Sequence, residues 1–96
     1  MAMYEVESKD YYMAGGNWCP SEGTYCWATI EASTPRQAAI RYAVRGDWPG
    51  GDEEMSEVTV HTRQGERVFE FTHAEMRRLQ RRLGVRVSQA GRSRIE

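Results

Sequence analysis

Hydrophobic and polar residues alternate in several stretches of the chain, which is the pattern of half-buried β-strands. The first stretch covers residues 3–9 and the second covers residues 24–32. In the second stretch, the side of the strand with the smaller side chains should face a packed helix. This side comprises Cys26, Ala28, Ile30 and Ala32. Alternation returns at residues 57–61 and 67–71, around a short turn that contains Gly65. These last two stretches predict a β-hairpin.

Two segments have the three- and four-residue spacing of amphipathic helices. Thr34-Pro35-Arg36-Gln37 is a strong helix start, because Thr can cap the first turn and Pro at the first helical position needs no N–H partner. It predicts a helix over 35–45, ended by Gly46 in the left-handed conformation. Thr72-His73-Ala74-Glu75 repeats this capping pattern and predicts a second helix over 73–83, closed by Gly84. Thr and Gly stand twelve positions apart in both, and whether this spacing reflects duplication stays open.

The remaining segments predict connections. Residues 10–23 contain aromatics, glycines and a proline without periodicity, and predict a long loop. Residues 47–54 predict a solvated acidic loop. We therefore expect one α+β domain over residues 1–87, of order ββαββα, with a four-stranded and mainly antiparallel sheet and two helices on one face. Residues 88–96 are basic and predict a flexible tail. The expected core brings Val58, Val60, Phe69 and Phe71 against Ile40, Val44, Leu79 and Leu83.

Composition changes this picture in two respects. Leu, Ile, Val and Phe provide only 14 of 96 residues, so aromatic and Met side chains must contribute to the core. Charge is separated along the chain: residues 1–60 hold ten acids and four bases, and residues 61–96 hold four acids and nine bases. Two electrostatic faces are therefore expected, each able to steer a partner of opposite sign. Twelve of the thirteen bases are Arg, which is enriched at protein and nucleic-acid contacts.

The charged and aromatic residues outside the expected core suggest a protein that acts by binding. Exposed rings anchor protein interfaces, and acids can occupy basic channels built for phosphate. The candidate partner-binding residues are Trp48, Asp52, Glu53, Glu54, Glu57, Tyr11, Tyr12 and Trp18. The alternative for the aromatics is a small core formed beneath the loop. A second candidate is a nucleic-acid-binding regulator, in which Arg77, Arg78, Arg81 and Arg82 contact phosphates from one helix.

Catalysis, metal and membrane chemistry have weak support in the sequence. Six residues separate Cys19 from Cys26, and eleven separate His61 from His73. Zinc sites usually have a closer pair of cysteines and a closer pair of histidines. Gly15-Gly16 lacks the residues of a phosphate-binding loop. We expect no enzyme activity, no metal and no cofactor. The N-terminus lacks the regions of a signal peptide and no stretch is long enough for a membrane helix, so a cytoplasmic protein with reduced thiols is expected.

The segment order also resembles a known group of proteins. A strand over residues 24–33, a Thr-capped and Ala-rich helix over residues 35–43 and a following hairpin resemble the layout of small phage anti-CRISPR proteins, over residues 3–72. HicB-type antitoxin domains share a similar strand and helix passage. The anti-CRISPR resemblance implies a phage or mobile-element inhibitor in the host cytoplasm. It would bind a host protein or ribonucleoprotein complex, such as a CRISPR effector, at a surface that normally holds nucleic acid.

Overall fold

A computed structural model describes residues 1–21, 25–46, 48 and 50–84 of the chain. It has five strands and two helices and confirms the α+β class and the order of elements expected from the sequence. The predicted tail over residues 88–96 lies outside the described residues. The elements are β1 (Ala2–Ala14), β2 (Asn17–Pro20), β3 (Cys26–Ala32), α1 (Pro35–Ala43), β4 (Glu54–Thr62), β5 (Gly65–Thr72) and α2 (His73–Arg82).

The long loop predicted over residues 10–23 is wrong, because β1 continues through Ala14 and β2 pairs with its end. Gly15 and Gly16 form the two-residue turn between them, with φ of 58° and 79°. Two successive positive φ angles match the right-handed twist of a hairpin, and glycine adopts them without steric cost. The sheet consequently has five strands where four were expected.

β1 is the central strand of the antiparallel sheet. β4 pairs with one edge of β1, and β5 extends the sheet beyond β4. On the other edge β3 pairs with residues 2–8 of β1, and β2 pairs with residues 11–14. The two strands therefore follow one another along the same edge of β1. This register decides which side chains share a face, because residues directly opposite each other point to the same side.

Both helices begin at the positions that their capping residues predict. The Thr34 hydroxyl accepts a hydrogen bond from the Gln37 N–H at 3.0 Å, and Thr72 and Glu75 form a complete capping box. Gly84 has a φ of 74°, as expected after α2. The left-handed conformation predicted for Gly46 is wrong. Glycine is needed there for space instead, since a Cβ would lie 2.6 Å from the Trp48 ring.

Helix α1 covers one face of the sheet, which we call the inner face. The core brings buried residues of β1, β3 and β4 against two alanines of α1, and it comprises Val6, Ile30, Ala32, Ala38, Ala39, Val58 and Val60. Phe69 and Phe71 pack at its edge, as expected. Two expectations for packed side chains are wrong: Leu83 is 56% exposed and Cys26 is exposed. Met76 of α2 is fully buried at 0% exposure, and no sequence pattern singled it out from Leu79.

Candidate binding surfaces

Among the described residues no helix packs on the face of the sheet opposite α1, and this face is strongly acidic. The charged strand residues that point to this side are six glutamates and one lysine, Lys9. We call this surface the acidic sheet face, and its glutamates are Glu5, Glu7, Glu31, Glu57, Glu66 and Glu70. Glu57 and Glu70 lie directly opposite each other in the β4–β5 pairing. Like charges in that arrangement destabilise a sheet, by an amount on the order of 0.2–1 kcal/mol.

An aromatic cluster stands among these acids at the β3 side of the same face. The Trp27 ring stacks on the imidazole of His61, with centroids 5.5 Å apart and planes 7° apart. Tyr25 meets the edge of Trp27 at 5.8 Å. His61 is held in turn by Glu7, whose Oε2 lies 2.5 Å from Nε2. Trp27 nevertheless remains 51% exposed, so the cluster presents an oriented indole to solvent.

The ionisation of Glu7 makes the stability that this cluster contributes depend on pH. Hydrogen bonds from His61 and then from Tyr25 lower the pKa of Glu7 below its ordinary value of 4.5. A carboxyl whose pKa is lower in the folded state stabilises the fold above its ordinary pKa, and this contribution is lost as the pH falls toward the lowered value. We expect Glu7→Gln to be less stable than wild type near neutral pH, with a difference that shrinks on acidification through and below pH 4.5.

Urea unfolding at a series of pH values measures this difference. Glu31→Gln is the control, since Glu31 is exposed on the same face and its side chain is outside the Glu7–His61 pair. A destabilisation by Glu7→Gln that stays constant across the acidic range would contradict the proposed role of the carboxylate.

The acids predicted for partner binding divide between two places. Glu57 belongs to the acidic sheet face, where its Oε1 accepts a hydrogen bond from the Tyr11 hydroxyl at 3.4 Å. Asp52 and Glu53 are exposed in the connection before β4. Glu54 lies at the start of β4, with Oε1 3.3 Å from Nδ1 of His73. The predicted acids therefore do not form one patch, because Glu54 and Glu57 point to opposite sides of β4.

The predicted aromatic anchors also occupy different environments. Trp18 is 38% exposed on the side of the acidic sheet face, where it lies opposite Met13. Tyr12 is 44% exposed on the inner side, and Tyr11 is half-buried on the outer side. Burial, followed by the charge of Glu57, raises the pKa of the Tyr11 hydroxyl. Trp48 is half-buried, and its Nε1–H donates to the Ala43 carbonyl at 2.6 Å. This contact gives Trp48 an internal role at the end of α1.

One side of α2 holds the connection between α1 and β4. Gln80 donates to the carbonyls of Val44 at 3.0 Å and Gly46 at 2.7 Å. The Arg77 guanidinium donates to the carbonyls of Trp48 and Gly50. His73 accepts from the Gly50 N–H at 3.1 Å. Positions 73, 77 and 80 share one helix face, which is why a single helix can satisfy so many polar groups of the connection.

Arg77 is therefore engaged inside the protein, whereas the other three predicted arginines of α2 are exposed. Arg78, Arg81 and Arg82 line one shallow depression. Leu83, which follows α2, lines a second depression with residues of α1, so the end of α2 lies near α1. We call the exposed arginines that line these two depressions the arginine layer, comprising Arg36, Arg41, Arg78, Arg81 and Arg82. Glu75 is the only acid within the two helices.

The thiols and imidazoles are dispersed. Cys19 lies opposite Tyr12 and Cys26 opposite Ser8 on the same edge of β1, so about 13 Å of strand separates them. Both are free thiols, and a disulfide requires Cα atoms within about 7 Å. Within residues 1–21, 25–46, 48 and 50–84, no three Asp, Glu, His or Cys side chains are grouped so that they could hold a metal ion. None of the helices described there is long and apolar enough to cross a membrane.

Sequence reasoning missed most of the acidic sheet face. Glu5, Glu7, Glu66 and Glu70 occur singly along β1 and β5, and only the register of β1, β4 and β5 brings them together. For Trp27 the available signal is its position between Cys26 and Ala28, which places it on the outer side of its strand. His61 carries no signal for its stacking on Trp27.

Comparison with known proteins gives no assignment for either charged surface. The chain matches no protein-family model, and no curated protein or solved structure matches it significantly.

Proposed function

We propose that the protein is a non-enzymatic binding protein whose acidic sheet face binds an arginine-rich surface of a larger partner. The observation that carries the proposal is the combination of six glutamates with an oriented, exposed Trp27 on one face. Neither feature alone names a partner. Together they match one chemical group, the guanidinium.

Arginine suits this face better than lysine does. Its planar guanidinium pairs with a carboxylate through two parallel hydrogen bonds and stacks on aromatic rings. The acidic sheet face offers both interactions within a few residues, since Glu7 hydrogen-bonds Tyr25 and the His61 ring that stacks on Trp27. The contacts of Trp27 fix its orientation before binding, which reduces the entropy lost on association.

Hydrogen bonds account for Glu7 and Glu57 individually, but fold stability does not explain the pairing of two glutamates across β4 and β5. Glu57 opposes Glu70 across one strand pair, and the β-sheet would be more stable with opposite charges at these positions. Local rules of stability are broken most often at functional sites, where binding compensates for the cost. A basic partner would relieve the repulsion among these glutamates.

Arginine-rich protein surfaces commonly bind phosphate, so occupancy by this protein would compete with nucleic acid. This is the behaviour that the resemblance to anti-CRISPR proteins implies. The proposal places the protein in the bacterial cytoplasm, encoded by a phage or mobile element, with an effector complex of the CRISPR type as the specific partner to test. Inhibition by this route requires stoichiometric binding and no chemical turnover.

The test measures binding of a fluorescent oligoarginine peptide by anisotropy, beside an oligolysine peptide of equal charge. We expect tighter binding of oligoarginine. The double variant E66K/E70K should weaken it by about tenfold or more, since close charge pairs across an interface contribute about 1.5–7 kcal/mol in measured cases and about 1.4 kcal/mol corresponds to tenfold in affinity. D52K/E53K is the matched control, with the same change of charge at exposed loop positions.

Trp27→Ala separates stacking from simple charge attraction. It should reduce the preference for oligoarginine over oligolysine while the affinity for oligolysine changes little. Equal loss of affinity in E66K/E70K and D52K/E53K would reject the acidic sheet face as the site. Displacement of target nucleic acid from purified effector complexes then tests the narrower partner, with the same two double variants.

A second candidate function rests on the exposed arginines of α2. Arg78, Arg81 and Arg82 are exposed and line one shallow depression, and they could contact a phosphate backbone. Generic DNA or RNA should then bind with an affinity that falls steeply with salt. R78Q/R81Q/R82Q should lower the salt dependence by a slope of about 1 for each phosphate contact that is lost. A protein-only inhibitor should leave free nucleic acid unbound.

A further inference from the structure

The two charged surfaces lie on opposite sides of the molecule. The acidic sheet face is the side of the sheet opposite α1, and the arginine layer belongs to the helices that accompany its inner side. Their opposite signs nearly cancel, and the full chain has a formal net charge of −1. Copies of this chain therefore repel each other weakly as whole molecules, while opposite faces of two copies attract.

The two surfaces also carry exposed apolar side chains among their charges. Leu83 is 56% exposed beside the arginine layer. Trp27 and Val68 are 51% and 52% exposed on the acidic sheet face. An interface between the two faces would thus have apolar contacts as well as a polar surround, as protein interfaces generally do.

We propose that copies of this chain associate head to tail, with the acidic sheet face of one copy against the arginine layer of the next. The inference rests on the surface used in the proposed function, but its partner is this chain itself. Each surface would repel a second copy of itself, which disfavours a two-fold dimer. Because the two faces point in opposite directions, the contact is heterologous and leaves one free face at each end. Association then builds open chains of copies.

Sedimentation velocity on the purified full chain tests the proposal. The weight-average mass should rise continuously with protein concentration at about 0.1 M salt and return to the monomer mass at about 1 M, where the screening length falls from about 10 Å to about 3 Å. A species fixed at twice the monomer mass, or a monomer at every concentration at low salt, would overturn the proposal. So would loss of association after nuclease treatment, because nucleic acid would then bridge the arginine layers.

Neutralising variants identify the two faces. E31Q/E66Q/E70Q retains the arginine layer, and R78Q/R81Q/R82Q retains the acidic sheet face, so each variant alone should be monomeric. Mixed in equal amounts, they should form a heterodimer and stop there, since each contributes the one intact face. D52Q/E53Q, which alters loop acids, should assemble like wild type. A mixture that stays monomeric, or assembles beyond two copies, contradicts the head-to-tail contact.

The proposed function can be judged separately in the same samples. Oligoarginine binding is measured at dilutions where the chain is monomeric, so failure of self-association leaves that result intact. Conversely, assembly that persists while oligoarginine fails to bind removes the proposed function and retains the head-to-tail contact.

Discussion

Replacing Met76 with alanine is expected to lower the free energy of unfolding by about 2–5 kcal/mol, the range for truncating a fully buried large side chain. Met76 has no exposed surface and heads the group of the largest fully buried side chains, with Val6, Val58 and Val60. Small domains have total stabilities of about 5–15 kcal/mol, so this single loss removes a large share. Urea unfolding followed by circular dichroism measures it.

Leu83→Ala is the control for this prediction. Leu83 is the C-cap residue of the same helix, has a side chain of similar size and is 56% exposed, so its truncation should change stability by no more than about 0.5 kcal/mol. Similar losses in the two variants would show that α2 is seated differently from the arrangement described.

Arg77→Met is expected to destabilise the fold by about 2–3 kcal/mol. Its guanidinium donates to the Trp48 and Gly50 carbonyls, and hydrogen bonds from charged groups contribute about 1.5–3 kcal/mol. Methionine preserves much of the aliphatic packing of the side chain, so the measured loss reports on the hydrogen bonds. Thermal and urea unfolding provide the measurement.

Arg78→Met is the matched control, one position further along α2 and exposed. It should leave stability within about 0.5 kcal/mol of wild type. It should instead weaken head-to-tail association, because Arg78 belongs to the arginine layer. If both arginine variants lose stability equally, then Arg77 has no special role in holding the connection; if both retain it, the hydrogen bonds to the connection are not formed in solution.

Much of the fold follows from local chemistry. Thr34 and Thr72 fix both helix starts within one residue, and Gly65 marks the hairpin between β4 and β5. The loop predicted after Asp10 is wrong because the glycines, the proline and the lack of periodicity there were given more weight than the β-forming aromatic residues. Gly15-Gly16 between two β-forming stretches is itself a hairpin signal, and giving it more weight would have recovered β2.

The binding surfaces depend on information that a single sequence lacks. The pairing of β1 with β4 joins residues about fifty positions apart, and sequence alternation does not determine that register. Arg77 and Arg78 are adjacent and chemically identical in the sequence. They differ only because the carbonyls of residues 48 and 50 lie beside one face of α2.

The central position of β1 has a consequence for how the chain folds during synthesis. Its first edge is completed early by β2 and β3, but residues 5–12 on the other edge pair with β4, which begins only at Glu54. A nascent chain therefore carries an unpaired, aggregation-prone edge until most of the protein has been translated. Such long-range pairing also slows folding, so assistance by chaperones should matter more for this protein than its small size suggests.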